Sequence, residues 1–272
     1  MKVGYLGPKG TFSHEACLRC FDKEEKIPFR TIKETIQALV NDEIDRCIVP
    51  IENSLQGCVV ETIDTLIADK NIYVIGEEIL EIKQNLMANK NYSLDEIKIV
   101  YSHPQALAQC RKFIDNNLKQ AEIINVASTA LAALEVSKKN YCACIGNIEC
   151  LKEYNLELLK ANIQDNSFNK TRFWILSKNK NTAIGTKMSI IFKTEHKPGS
   201  LYRVLKVFND YNINLTKIES RPDKKSAFEY YFLVDCETSN LNIEQALDEL
   251  KTQTPYFRML GIYNEGGNYG AW

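Results

Sequence analysis

The chain has 272 residues, 44% of them hydrophobic and 25% charged, with a net charge of −1. That is the make-up of a globular protein of about two domains at ~150 residues each, and it excludes a disordered chain. A charge so close to zero supplies no long-range field for nucleic acid or an anionic membrane, and no run approaches the ~18 apolar residues of a membrane span, so neither partner is expected.

Residues 2–6 read as a buried strand, broken by Gly7-Pro8-Lys9-Gly10, after which Thr11 or Ser13 is suited to cap a helix. In the segment 32–41, Ile32, Ile36, Leu39 and Val40 fall on one helical stripe. Residues 46–50 are strand-like, 59–68 helical and 72–75 strand-like again. A strand at 97–101 feeds a helix opened by Pro104, a good first-turn residue before which Ser102 is a sound cap. A strand at 123–126 precedes Ser128, the expected cap of an alanine-rich helix over 129–137, and 142–145 is one more short strand. This alternation predicts α/β layers with mostly parallel sheets. The polar stretch 178–182 reads as a linker. Beyond it the order becomes strand 187–194, helix 200–209, strands 214–219 and 228–236, helix 243–252 and strand 257–263. That βαββαβ order is the ferredoxin-like arrangement. The glycine-rich tail 266–270 is expected to be mobile.

Nine cysteines, an odd number scattered along the chain, point to reduced thiols and a cytoplasmic protein rather than a disulfide framework. The N-terminus runs straight into a strand, with no signal-peptide core. Cys17-Leu-Arg-Cys20 has metal or redox spacing but no second pair, and the three histidines are dispersed. No metal and no cofactor is expected.

Gly4-Tyr-Leu-Gly7-Pro-Lys-Gly10 spaces its glycines as GxxGxxG, not the GxGxxG of a dinucleotide fold. Such a turn before a helix either offers N–H groups to an anion or is an ordinary strand–helix turn. Three further polar segments, Pro50-Ile-Glu-Asn-Ser54, Tyr101-Ser-His-Pro-Gln-Ala106 and Asn169-Lys-Thr-Arg-Phe173, adjoin buried-looking strands. In open α/β sheets ligands bind beyond the carboxyl ends of strands, where such loops gather.

Taken together, GYLGPKGTFSHEA (4–16), VPIENSLQG (49–57), YSHPQALAQCR (101–111), Ser128-Thr129 and NIQDNSFNKTRF (162–173) resemble the prephenate dehydratase family from residue 3 to about 178. His196-Lys-Pro-Gly-Ser-Leu201 with Ile218-Glu-Ser-Arg-Pro222 is similar to the phenylalanine-sensing ACT domain that follows in that family. Two departures stand out. Ser200 replaces the usual alanine of the sensor motif, and Gln84 stands where the family often has histidine. With no mutase-like helical segment ahead of the first strand, the monofunctional form is expected.

The resemblance implies a two-lobed catalytic domain over 1–180, like a type II periplasmic binding protein, with crossings near 77–84 and 162–171. An ACT domain would occupy 187–264. The implied reaction is decarboxylating dehydration of prephenate to phenylpyruvate, inhibited by L-phenylalanine, in a homodimer or homotetramer. Thr171 would donate to the departing hydroxyl, with Ser102, Gln109, Glu52 and Asn53 positioning substrate or assisting. Ser54, Thr129 and Thr11 lie in the same motifs and are assigned to substrate binding. Arg172 either clamps a substrate carboxylate or forms a structural ion pair, since strand alternation turns it away from Thr171 unless the strand bends. The effector would meet Gly199, Ser200 and Leu201 at a helix start, with Glu219, Ser220, Arg221 and Pro222 on a strand. Alternation keeps Glu219 and Ser220 from both facing the ligand on a regular strand. An arogenate dehydratase and a non-catalytic amino-acid sensor are the competing readings.

Overall fold

The computed structural model describes residues 1–180, 185–238, 243–266 and 269. A first lobe contains β1 (Lys2–Leu6), α1 (Phe12–Cys20), β2 (Glu25–Phe29), α2 (Ile32–Val40), β3 (Arg46–Asn53), β4 (Gly57–Cys58), α3 (Val60–Ala68) and β5 (Tyr73–Glu81). Hydroxyl caps start two of its helices: Thr11 accepts from the His14 N–H and Thr31 from the Glu34 N–H.

The chain then crosses to a second lobe. It holds β6 (Asn85–Ala88), β7 (Ile99–Ser102), α4 (Pro104–Gln109), α5 (Arg111–Asn117), β8 (Glu122–Asn125), α6 (Thr129–Val136), β9 (Cys142–Gly146), α7 (Glu149–Tyr154) and β10 (Glu157–Lys160). It returns as β11 (Lys170–Ser177). The two crossings bond to each other: the Ile82 N–H donates to Asn169 O and the Ile163 N–H to Gln84 O, both at 2.8 Å.

In the first lobe the strands run β2-β1-β3-β11-β5, with β4 beside β3. β1 is parallel to β2 and β3, but β11 is antiparallel to both its neighbours. The sheet is therefore mixed, because a strand arriving from the other lobe must run back through it. The second sheet runs β10-β6-β9-β7-β8 and is also mixed. Two α/β lobes joined by two crossings make the expected periplasmic-binding-protein-like plan. Strands β2, β6 and β10 carry no clear periodic signal and were not predicted. The helix opened by Pro104 breaks at Cys110 into α4 and α5.

The third unit is β12 (Lys187–Lys193), α8 (Ser200–Asp210), β13 (Leu215–Pro222), β14 (Tyr230–Glu237), α9 (Ile243–Gln253) and β15 (Tyr256–Tyr263). Its antiparallel sheet runs β13-β14-β12-β15, the expected βαββαβ topology. One face packs Met188, Ile190, Phe192 and Val234 against Val204, Phe208 and Leu250 of the two helices. The other face sends Ile191, Leu233, Leu260 and Tyr263 into the core of the first lobe, beside Leu39, Val49, Ile63 and Trp174. A sheet buried on both faces ties this unit to the first lobe. The backbones come so close that a β-carbon on Gly261 would collide with the Val74 carbonyl.

Of the tail expected to be mobile, Tyr269 is instead packed against the first lobe. Its N–H donates to Cys20 O at 3.0 Å, and its hydroxyl lies 3.0 Å from the Asn264 and Gly266 carbonyls. A side chain on Gly76 would occupy the same space as the Tyr269 ring. Gly267, Asn268 and Gly270 of that tail, and Asn181 and Thr182 of the linker, lie outside the described residues.

Candidate active site

The ends of β3 and β11, the start of α1 and the crossing at 82–84 meet the N-termini of α4 and α6 across the lobe boundary. They enclose a cleft of about 220 Å³. Asn53, Thr171, Gln109 and Thr129, all proposed from sequence, line it. So do Phe12, Ile82, Gln84, His103, Gln105, Ala106, Ala127 and Ser128, which were not proposed. None of these lining residues is Asp, Glu, Lys or Arg.

Thr171 and Asn53 are direct partners across the β3–β11 pair. The Asn53 amide Nδ2 donates to Thr171 Oγ1 at 2.9 Å and to Asn169 Oδ1 at 2.8 Å. Its Oδ1 accepts from the N–H groups of Leu55 and Gln56, which fixes the carboxamide's orientation. With a lone pair of Thr171 engaged by Asn53, the threonine's own proton is left to point into the cleft. From the second lobe, His103 caps α4 by accepting the Gln105 N–H at Nδ1, which places the ring proton of the neutral form on Nε2. Ser128 caps α6 by accepting from the Leu131 N–H, so both helix starts open on the cleft. Gln84 Nε2 donates to Gln109 Oε1 at 3.0 Å.

The remaining proposed residues are placed outside the cleft. Ser102 is the last residue of β7, fully buried, and its Oγ donates to Ile145 O at 2.6 Å between the strands of the second sheet. The cap of α4 is His103, one residue later. Thr11 caps α1 and donates to the Leu6 and Pro8 carbonyls. Ser54 accepts the Lys170 N–H and donates to Phe168 O, clamping the start of β11. Two N–H groups of the glycine turn are already engaged by the protein: Gly7 donates to Phe29 O, and Gly10 to Nδ1 of His14. Burial lowers the pKa of that histidine, which keeps it a neutral acceptor.

Glu52 and Arg172 point to the opposite face of their strands, into the seam with the third unit. Arg172 contacts Asp235 of β14 at 2.5 Å, and Glu77 of β5 and Glu52 of β3 at 3.3 Å. Asp235 and Glu77 have no solvent exposure. Asp235 also accepts from Ser189, and Glu77 pairs with Lys187. Lys217 of β13 reaches Glu52 at 2.7 Å. Burial opposes the charge on Arg172, but the Asp235 and Glu77 carboxylates raise its pKa. The strand stays regular through 171–172, so the residues separate by alternation and Arg172 is an ion-pair residue here.

On the third unit a second cavity of about 540 Å³ is lined by residues 194–202 with Phe228, Glu229, Tyr230 and Phe232. Gly199, Ser200 and Leu201 belong to it. Gly199 caps α8 at φ 78°, a left-handed conformation that favours glycine. Ser200 is buried and its Oγ accepts from Arg203. Ser220 and Pro222 are cross-strand partners of the cavity residues Phe232 and Tyr230. Glu219 and Arg221 alternate to the seam instead, where they meet Cys58 and Asp64.

A family model described as prephenate dehydratase matches residues 3–181, and an ACT domain model matches 188–253. A prephenate dehydratase of Methanocaldococcus jannaschii is 39% identical over 269 residues, covering 96% of this chain and 97% of its own. The chain belongs to the prephenate dehydratase family. An arogenate dehydratase 2 of Petunia hybrida is 34% identical, covering 97% of this chain and 71% of its own. A solved prephenate dehydratase from Arthrobacter aurescens, in complex with L-Phe, superimposes with a TM-score of 0.89 at 29% identity, over 100% of this chain and 92% of that one. Within the family's motifs, one signal was available for His103. With Pro104 in the first helical position, the residue just before it is the cap, and a cap at a cleft edge presents its side chain there. Nothing in the sequence marked Phe12 or Ile82 beyond their place at element ends.

Proposed function

We propose that this chain is an enzyme that converts prephenate to phenylpyruvate, carbon dioxide and water in the synthesis of L-phenylalanine. The C–C bond to the ring carboxylate breaks, and its electron pair goes into the ring, which becomes aromatic. The C–O bond to the ring hydroxyl breaks with its pair on oxygen, and that oxygen leaves as water once it gains a proton. Aromatisation drives the reaction, so the protein has to hold a dianion and assist a poor leaving group. The observation that carries this reading is the Asn53 amide on Thr171 Oγ1, which turns the threonine hydroxyl into a free donor inside a neutral cleft. Thr171 donates a hydrogen bond to the leaving oxygen, and the proton that completes the water is drawn from solvent. The carboxylates are held without a side-chain cation, by backbone N–H groups at the starts of α1 and α6 and by neutral donors.

A neutral cleft also bears on arogenate, which replaces the ketone by an ammonium group. No carboxylate lines the cleft to pair with it, and an unpaired ammonium in an enclosed site is costly. The test is turnover of both substrates by the purified protein. The expected result is prephenate turnover with kcat/KM at least about tenfold above that for arogenate. Faster arogenate turnover would favour the arogenate reading. Turnover of neither, with L-phenylalanine still bound, would favour the sensor.

Regulation by L-phenylalanine is assigned to the cavity beside Gly199, where the first N–H groups of α8 suit a carboxylate and Phe228, Tyr230 and Phe232 suit an aromatic ring. The edge strand β13 exposes Ile218, Ser220 and Pro222 next to it, a surface that suits a second copy of the chain in a homodimer or homotetramer. Nine unpaired cysteines agree with a reducing, cytoplasmic setting.

A further inference from the structure

Gln84 sits on the outward crossing, three residues past the end of β5, and both crossings hold it. Its N–H donates to Gln164 Oε1 at 2.9 Å, and its carbonyl accepts from the Ile163 N–H at 2.8 Å. The residue is only 2% exposed, and its side chain lines the cleft with Thr171 and spends its amide Nε2 on Gln109. What remains is Oε1, a buried acceptor with no partner. A buried carbonyl left unpaired is unfavourable, and when it faces a cavity it calls for a donor on the ligand.

On the reading that prephenate occupies this cleft, that donor is identifiable. As a dianion prephenate carries two carboxylates and a ketone, all acceptors, and one O–H, on the ring carbon whose C–O bond breaks. The cleft's Thr171 hydroxyl and His103 Nε2–H suit its acceptors. The unpaired carbonyl of Gln84 suits its one donor. We propose that Gln84 contacts the substrate by accepting the O–H of the leaving hydroxyl, so that a lone pair of that same oxygen faces the Thr171 proton. Gln84 neither gives nor takes a proton. It selects the rotamer of the hydroxyl in which Thr171 can assist departure, and Gln109 holds its carboxamide in place. The role is therefore in the rate of the chemical step more than in affinity.

The test is steady-state kinetics of the full chain with prephenate, together with thermal unfolding. In Gln84→Leu, kcat is expected to fall at least about tenfold while KM stays within about threefold. Gln84→Glu keeps an acceptor in the same place and is expected to recover most of that kcat. Its KM should rise, because a carboxylate then faces a dianion. Unchanged kcat in Gln84→Leu, with wild-type turnover normal, would overturn the role of Gln84 and leave the reaction standing. Equal kcat losses in the Leu and Glu variants, tracking a lowered unfolding midpoint, would overturn it in favour of a structural role. If Gln84→Leu does not fold, the Glu variant decides alone: kcat near wild type with raised KM supports the contact, and a tenfold or greater kcat loss in a folded Glu variant sinks it. A wild-type protein inert to prephenate would remove the reaction and this inference together.

Discussion

Two neighbouring pairs of residues on β3 and β11 face two different worlds. Asn53 and Thr171 look into the cleft, where every lining side chain is uncharged or a histidine. Glu52 and Arg172, one position away on each strand, look into the seam with the ACT sheet, where Glu77, Asp235, Lys187 and Lys217 join them. Alternation along a strand makes that division sharp: adjacent residues serve separate regions without sharing space. In the cleft, the proposed chemistry would rest on hydroxyl and amide groups, since hydrogen-bond donors aimed at a leaving oxygen gain strength where water is scarce. In the seam, charges without solvent must be paired, and their pairing spans three strands of the catalytic sheet and three of the ACT sheet. The strand that presents Thr171 to the cleft is thus anchored from behind by the ACT unit.

Removing the anchor is the harshest way to break this division. Arg172→Ala leaves Glu77 and Asp235 buried with one partner fewer, a loss expected to cost about 3–5 kcal/mol of stability. In thermal unfolding that corresponds to a drop on the order of 10 °C for a chain of this size. Arg172→Lys is expected to recover only part of it, since a single ammonium cannot reach Asp235, Glu77 and Glu52 as the planar fork does. An Arg172→Ala protein with an unchanged midpoint but no turnover would move Arg172 to the cleft side of the comparison.

Thr171→Ala is the matching cut on the other face. Among the described residues the Thr171 side chain makes one hydrogen bond, with Asn53, so its loss is expected to leave the unfolding midpoint nearly unchanged. The turnover number is expected to fall about 100-fold or more, roughly 2.7 kcal/mol in the barrier. Thr171→Ser keeps the hydroxyl and should retain much of the rate. Near-normal turnover in a folded Thr171→Ala protein would leave the cleft without its assigned donor.

Much of this division was legible before the structure, but unevenly. The motif around Thr171 and Asn53 pointed to the cleft, and the alternation of Arg172 was foreseeable, because both follow from a regular strand. Glu52 and Ser102 were assigned, like Asn53 and Gln109, through the family resemblance of their motifs. In a strand buried on both faces, however, sequence does not tell which face looks toward which neighbour. Ser102 went to a carbonyl of β9 for that reason. The buried position of Tyr269 depends on a groove at Gly76 some 190 positions earlier, so a glycine-rich tail gave no sign of it. The mixed first sheet was missed because β11 comes from the far lobe, a non-local pairing that local periodicity does not encode.

The rim of the seam offers the gentlest test, and one with a definite sign in pH. Asp64 of α3 pairs with Arg221 Nε and Lys224 Nζ, each at 3.0 Å, and is 20% exposed. Burial alone would raise its pKa, but hydrogen bonds from Arg221 and Lys224 outweigh that and lower it. A carboxyl with a depressed pKa in the folded state holds fewer protons there than in the unfolded chain. Its contribution is therefore complete above the unfolded value, about 3.9, and is lost as pH falls from there through the folded value. Asp64→Asn is expected to cost about 1 kcal/mol or less at pH 7, as for partly exposed pairs, and less still in high salt. Denaturant midpoints of the wild type and the variant should differ at pH 7 and converge as pH falls below about 3.9. A gap that persists undiminished in acid would mean that Asp64 acts through packing, not charge. The same variant also sharpens the regulatory assignment. Arg221 turns to Asp64 and away from the Gly199 cavity, so phenylalanine inhibition should survive Asp64→Asn nearly unchanged, whereas a large shift in the inhibitory concentration would place Arg221 in effector binding.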